Sequence, residues 1–243
     1  MIEADHIAKQ FRDKKHGLLR AVDGVSFRCG PGRVYGLLGA NGAGKTTTLR
    51  ILATILKPTS GTARVAGYDI RHDAQKVRAS IGFLSASTAL YPRLTAREMV
   101  EYFGRLYGLG SALLRQRIDS IFERLQMEEF AGRRCDQLST GMKQKVSIAR
   151  TLVHDPPVMI FDEPTLGLDV MTSRTITGFI RECRDQGKTV LFSTHVMSEA
   201  EKLCDLIGII HSGRLIAEGT LAELRERYHQ YDLEDIFMQV MQT

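Results

Sequence analysis

Gly39-Ala40-Asn41-Gly42-Ala43-Gly44-Lys45-Thr46 follows the apolar run Val34-Tyr35-Gly36-Leu37-Leu38 and leads into Thr47-Thr48-Leu49-Arg50-Ile51-Leu52. The pattern is G-x-x-x-x-G-K-[ST], placed where a strand feeds a helix through a glycine-rich turn. Glycines let backbone N–H groups converge on phosphate oxygens, and the N-terminus of the following helix adds partial positive charge. Lys45 can reach the β- and γ-phosphates, and the Thr46 hydroxyl can hold Mg²⁺. A glycine turn by itself only redirects the chain. Together with the lysine, the hydroxyl and the strand–helix context, it implies a bound nucleoside triphosphate.

The size suits one α/β domain with or without a small subdomain: 243 residues, 43% of them apolar. A net charge of +5 is compatible with nucleotide, an acidic membrane or nucleic acid and chooses none of them. Cys29, Cys135, Cys183 and Cys204 form neither a C-x₂-C pair nor a cysteine–histidine run, so reduced thiols are expected rather than zinc or disulfides. Met1-Ile2-Glu3-Ala4-Asp5 lacks a basic segment followed by an apolar core, and the apolar runs fall far short of the ~18 residues that span a bilayer.

Outward from the phosphate loop, residues 2–7, 22–27 and 34–38 read as short strands and residues 62–66 as another. The helix after the loop is expected to run to about Leu56 and stop at Lys57-Pro58. Residues 80–84 are a further strand. From Leu94 the period turns helical: Thr95 and Glu98 form a capping box, and Leu114, Ile118, Ile121, Phe122 and Leu125 mark a second helix. Ser139 opens a third. Residues 158–161, 189–192 and 206–210 are continuous apolar runs, as in parallel strands covered on both faces. Thr220 and Glu223 form another capping box, and Leu233, Ile236, Phe237, Val240 and Met241 give the tail one apolar face, to pack on the core or a second copy. The expected organisation is one domain: a core of residues 1–86 and 153–219, an inserted helical subdomain 87–152, and a helical tail 220–243.

Val158-Met159-Ile160-Phe161-Asp162-Glu163 ends an apolar strand in two carboxylates. Beside a phosphate loop, Asp162 would face the metal and Glu163 the γ-phosphate, where it could take a proton from attacking water. The other reading is a helix-capping Asp with a solvated Glu. A second strand ends in His195, which could contact the γ-phosphate or serve only structure. Leu138-Ser139-Thr140-Gly141-Met142 exposes a hydroxyl and backbone N–H groups at a helix start, a second candidate anion site. Two such helix ends with a single lysine-bearing loop make sense if the second serves the nucleotide of another subunit.

In this order the motifs resemble those of the nucleotide-binding subunits of ATP-binding cassette (ABC) transporters, over nearly the whole length. They are Walker A at residues 39–46, the signature at 138–142, Walker B ending in Asp162 with Glu163 following, a D-loop at Leu166-Gly167-Leu168-Asp169, and the switch histidine His195. The resemblance implies a P-loop ATPase core, mostly a parallel sheet with an N-terminal antiparallel β-subdomain, and an inserted helical subdomain. It implies ATP and Mg²⁺ as cofactors and a head-to-tail homodimer. Each ATP would lie between one Walker A, with Thr47, and Ser139, Gly141 and Asp169 of the other copy. Phe11 falls where the family stacks an aromatic on adenine, with Val22 nearby.

Two positions depart from the family pattern. The signature has Thr140 and Met142 where the commonest form is Leu-Ser-Gly-Gly-Gln, and the Q-loop glutamine is missing at about Ala86, leaving Ser85 or Ser87 as substitutes. With Leu90-Tyr91-Pro92-Arg93-Leu94, these departures are similar to the ATPase subunits of type-two ABC exporters, the sodium-extruding NatA-like group among them. The resemblance implies a place at the cytoplasmic face of the membrane, bound to an integral-membrane permease, with no nucleic-acid partner. Rival readings are a soluble ABC ATPase on ribosomes or DNA, a P-loop kinase, and an ATP-binding regulator without turnover.

Overall fold

The computed structural model describes residues 1–13, 17–85 and 89–242. Strands β1 (Ile2–Asp13) and β2 (Gly17–Cys29) pair antiparallel from Ile2↔Cys29 to Asp13↔Gly17, much longer than the two short strands expected. Their far ends are exposed, Leu18 and Leu19 included, and carry no alternation of buried apolar and exposed polar residues, so patterning marks only the buried halves. β3 (Arg33–Leu38) enters the phosphate loop and α1 (Lys45–Leu52) leaves it. α1 stops four residues short of the expected Leu56. Thr54 takes φ 58°, and the N–H groups of Ile55 and Leu56 both donate to the Arg50 carbonyl, closing the helix C-terminus as a left-handed cap does. β4 (Ser60–Val65) and β5 (Tyr68–Asp69) complete an antiparallel sheet in the order β2-β1-β4-β5. The short helix α2 (Ala74–Ala79) then leads to β6 (Ile81–Ser85).

Three helices follow: α3 (Ala96–Leu106), α4 (Ser111–Arg124) and α5 (Thr140–Leu152). Thr95 and Glu98 form the expected reciprocal cap on α3, and Ser139 Oγ accepts the Met142 N–H at 3.3 Å to open α5. Their apolar faces share one buried cluster with β7 (Val158–Asp162), α6 (Val170–Asp185) and β8 (Thr189–Thr194). Every residue of β7 and β8 is buried, which is why these strands carry unbroken apolar runs rather than alternation. α7 (Met197–Leu203), β9 (Leu206–His211), β10 (Arg214–Gly219), α8 (Leu221–Tyr228) and α9 (Leu233–Met241) complete the chain.

The main sheet runs β10-β9-β3-β8-β7-β6, parallel except for β10. This order sets β3, which carries the phosphate loop, beside β8, and β8 beside β7. The C-terminal ends of all three therefore open on one edge, the position at which open α/β sheets bind ligands. Among the described residues no helix is long and apolar enough to cross a membrane.

Candidate active site

Gly39 and Gly44 hold the loop in a form no other residue fits. A Cβ on Gly39 would lie 2.5 Å from the Ile210 carbonyl oxygen, and Gly44 has φ 110° with the Ala21 carbonyl 2.6 Å from its notional Cβ. Gly44 is the N-cap of α1 and offers no side chain, so the first N–H groups of the helix stay directed at the cleft, as an anion requires. The cleft is small, about 140 Å³, and is lined by Ala21, Asn41, Gly42, Gly44, Lys45, Thr46, Thr47 and Glu163.

Lys45 is 4% exposed, and its ammonium has three donors, all engaged. It donates to the carbonyls of Gly39 at 2.7 Å and Ala40 at 3.1 Å, and pairs with Glu163 Oε1 at 3.1 Å. Its third donor thus spans from the loop to the carboxylate strand. The second Glu163 oxygen, Oε2, lies 3.0 Å from His195 Nδ1. A carboxylate only accepts, so this bond uses the Nδ1–H tautomer of the histidine. Glu163 itself stands at φ 48°, a left-handed conformation that costs a non-glycine residue roughly 1–2 kcal/mol. Its N–H is held by both the carbonyl, at 3.2 Å, and the Oγ, at 3.1 Å, of Ser193.

Asp162 sits one residue earlier, buried. Its Oδ1 accepts from Thr46 Oγ1 at 3.0 Å and from Ser193 Oγ at 2.8 Å. A hydroxyl and a carboxylate oxygen in contact suit a hard cation, which prefers oxygen donors. Among the described residues no cluster of three or more His, Cys, Asp or Glu is arranged as a protein cage. An ion here therefore fits only with ligands from phosphate and water, which is how Mg²⁺ is ordinarily held beside nucleotides.

Ser193 was not among the residues singled out from sequence. It lies directly opposite Asp162 in the β7–β8 pairing, and its hydroxyl ties Asp162 to Glu163. A buried polar residue following the apolar run Val190-Leu191-Phe192 was a visible signal, but the register that gives it meaning was not. Ala21 is a second omission, next to Val22, which the resemblance sets near the adenine. Val22 is 0% exposed and packed in a core cluster, and the residue of β2 that lines the cleft is Ala21. Ala43 is likewise buried, and its carbonyl accepts the Gly213 N–H at 2.9 Å. Phe11 is half-exposed on β1, with the Lys9 amine 5.2 Å from its ring centre.

Ser139 and Gly141 line no part of this cleft. Ser139 is exposed at the start of α5, and Gly141 packs against Thr172, whose Oγ1 would lie 3.0 Å from a Cβ there. Thr172 in turn donates its Oγ1–H to Asp169 Oδ2 at 2.6 Å and its N–H to Oδ1 at 2.9 Å, making Asp169 the cap of α6. Those bonds, the side-chain one foremost, hold the Asp169 carboxyl below the usual range. Asp169 and the signature turn thus form a second, separate surface. Ser85 lies opposite Asp162 in the β6–β7 pairing, while Ala86 and Ser87, at the expected Q-loop, fall outside the described residues.

A phosphate loop on a parallel sheet, a strand-end Asp–Glu pair and a histidine just past the end of the adjoining strand define a P-loop ATPase. The chain belongs to the ABC transporter family, whose model matches residues 22–166. It is 44% identical to the ABC transporter ATP-binding protein NatA of Bacillus subtilis, over 98% of this chain and 97% of the relative. It is 42% identical to the Nod factor export ATP-binding protein I of Paraburkholderia xenovorans, over 97% of this chain and 76% of that one. Among solved structures, an ATP-binding subunit of an ABC transporter superposes with TM-score 0.90 at 28% identity, over 99% of both chains. A dimeric ATP-binding cassette in a post-hydrolysis state bound to ADP and Pi superposes with TM-score 0.83 at 27% identity, over 90% of this chain and 98% of that one. The protein is the ATP-binding subunit of an ABC transporter and an ATPase.

Proposed function

We propose that the chain powers an exporter at the cytoplasmic face of the membrane, with ATP closing a homodimer and the closure moving a separate integral-membrane permease. The observation that carries this reading is the incompleteness of the site. The cleft of about 140 Å³ is below the ~300 Å³ at which enclosed small-molecule sites begin. It fits the phosphate end of ATP and leaves the rest uncovered. The second surface, Ser139, Gly141 and Asp169, lies apart from it and is exposed where it could cover the nucleotide of a second copy. The related cassette solved with ADP and Pi is a dimer.

Within that dimer, the phosphates would replace Glu163 and the loop carbonyls as partners of Lys45. The freed Glu163 would accept a proton from the attacking water, with His195 Nδ1–H holding one carboxylate oxygen and fixing the direction of the other. Mg²⁺, held by Thr46 and Asp162 with the phosphates, would supply the charge neutralisation that phosphoryl transfer needs. Asn41, Gly42 and Thr47 would cradle the phosphates, and Phe11 would stack on the adenine. The division into a core, a helical subdomain of residues 87–152 and a tail of residues 220–243 is part of the same reading, with the helical part and the Q-loop facing the permease. Sodium is the cargo that the NatA resemblance favours, and export as a direction is supported by relatives named for Nod factor export and daunorubicin resistance.

Partner capture tests the reading. Tagged Glu163→Gln protein purified from detergent-solubilised host membranes with MgATP should bring down a multi-span permease in a two-to-two complex. Recovery of ribosomal proteins or DNA, with no membrane protein, would overturn it.

A further inference from the structure

The tail beyond β10 reaches both arms of the site. Leu224, Leu233, Ile236 and Val240 share one buried cluster with Leu38, the residue before Gly39, and with Ala200 in the middle of α7. α7 begins two residues after His195. On one side it is fixed to the end of β8, where Thr194 Oγ1 donates to Glu199 Oε2 at 3.0 Å and accepts the Val196 N–H at 2.9 Å. On the other side it is fixed to the tail by Glu201.

Glu201 Oε1 accepts the backbone N–H of Leu233, the first residue of α9, at 3.1 Å. Asp232 occupies the N-cap position there and makes no side-chain cap bond, so a carboxylate from α7 supplies the acceptor that the helix start lacks. The same Glu201 oxygen lies 3.5 Å from Arg225 Nη2 on α8, and Arg225 stacks over Tyr231 with its guanidinium carbon 4.3 Å from the ring centre. Arg225 Nε also donates to the Tyr231 carbonyl at 2.5 Å. One carboxylate therefore joins α7, α8 and α9.

We infer that Glu201 is a positioning residue for hydrolysis: it latches the C-terminal tail to α7 and thereby sets His195 against Glu163. The inference rests on His195 orienting Glu163, as proposed above. A tail that only added stability would need apolar burial alone. Here a buried cluster packs α8 and α9 beneath the strand entering the phosphate loop, and a polar latch ties them to the helix leaving the switch histidine.

The test is a double-mutant cycle in the full chain, with MgATP turnover read against nucleotide affinity. Glu201→Ala should lower kcat roughly 3- to 30-fold, the range for residues that act on a site through packed neighbours. KM for ATP and the affinity for ADP should stay unchanged. Glu201→Gln keeps an oxygen for the Leu233 N–H and should restore most of the turnover. In a His195→Ala background, Glu201→Ala should cost little more, because the group it positions is already gone. Arg225→Ala, which leaves the Leu233 bond in place, should give a smaller loss of the same kind and serves if Glu201→Ala fails to fold. Full additivity of Glu201→Ala with His195→Ala, or a rise in KM with kcat intact, would overturn the latch. Wild-type turnover of His195→Ala alone would instead remove the reading on which the latch depends.

Discussion

Ser193→Ala removes a single oxygen at the junction of Asp162, the proposed metal ligand, and Glu163, the proposed catalytic base. Ser193 is 0% exposed, and its hydroxyl donates to Asp162 Oδ1 at 2.8 Å and accepts the Glu163 N–H at 3.1 Å. A hydrogen bond to a charged group contributes about 1.5–3 kcal/mol. Neither partner is stranded by its loss: Asp162 Oδ1 keeps Thr46 at 3.0 Å, and the Glu163 N–H keeps the Ser193 carbonyl at 3.2 Å. The net cost should therefore be about 2 kcal/mol, which in a chain of this length lowers Tm by roughly 4–8 °C. Turnover should suffer more than stability. Glu163 sits at φ 48° against its own preference, and removing one of the two acceptors of its N–H lets it drift from the line of attack. Misplacement by about 1 Å can cost ~100-fold, so kcat should fall at least roughly tenfold while KM for ATP moves less than about threefold. Phosphate release at saturating MgATP, run beside thermal melting, reads both. Wild-type kcat with Tm unchanged to within about 1 °C would refute the role assigned to the Ser193 hydroxyl.

Gly44→Ala should abolish nucleotide binding and lower Tm, because the new Cβ would lie 2.6 Å from the Ala21 carbonyl at φ 110°; calorimetric titration with ATP and a melting curve check it. His154 gives a pH dependence of stability. Its Nε2 lies 3.1 Å from the Ile81 carbonyl, its ring stacks on Tyr107 at 3.7 Å, and burial pushes its pKa from 6.5 down to about 4. The fold keeps the ring neutral while the unfolded chain takes up a proton near 6.5, so this stability is present above pH 6.5 and is lost as pH falls towards about 4. Melting curves across that window should show a slope in the wild type that His154→Phe flattens.

The reach of the sequence followed from what each element hides. The runs that became β7 and β8 are buried on both faces, and burial leaves an apolar record in the chain. The phosphate loop was legible because its glycines answer a steric demand, the closest being the Ile210 and Ala21 carbonyls that a side chain would strike. Capping boxes at Thr95 and Thr220 were legible because the two partners of each box are only three residues apart in the chain. Pairings across strands were not. That Ser193 stands opposite Asp162, that Lys45 meets Glu163, and that Val22 turns inward while Ala21 faces the cleft are matters of register and twist, which residue type does not encode. β10 and α2 escaped notice for a related reason. β10 is an edge strand of alternating burial beside a turn, and α2 buries only Val77.

The decisive measurement is the mass of Glu163→Gln protein by light scattering, with and without saturating MgATP. The variant keeps Lys45, Thr46 and Asp162 to bind the nucleotide but lacks the carboxylate that would spend it, so two copies should close on ATP and stay closed. A mass that doubles on adding MgATP, and returns to that of one copy with ADP, is the expected result. A single-copy mass at saturating MgATP, with binding confirmed by titration, would contradict the claim that Ser139 and Gly141 complete the site of a partner.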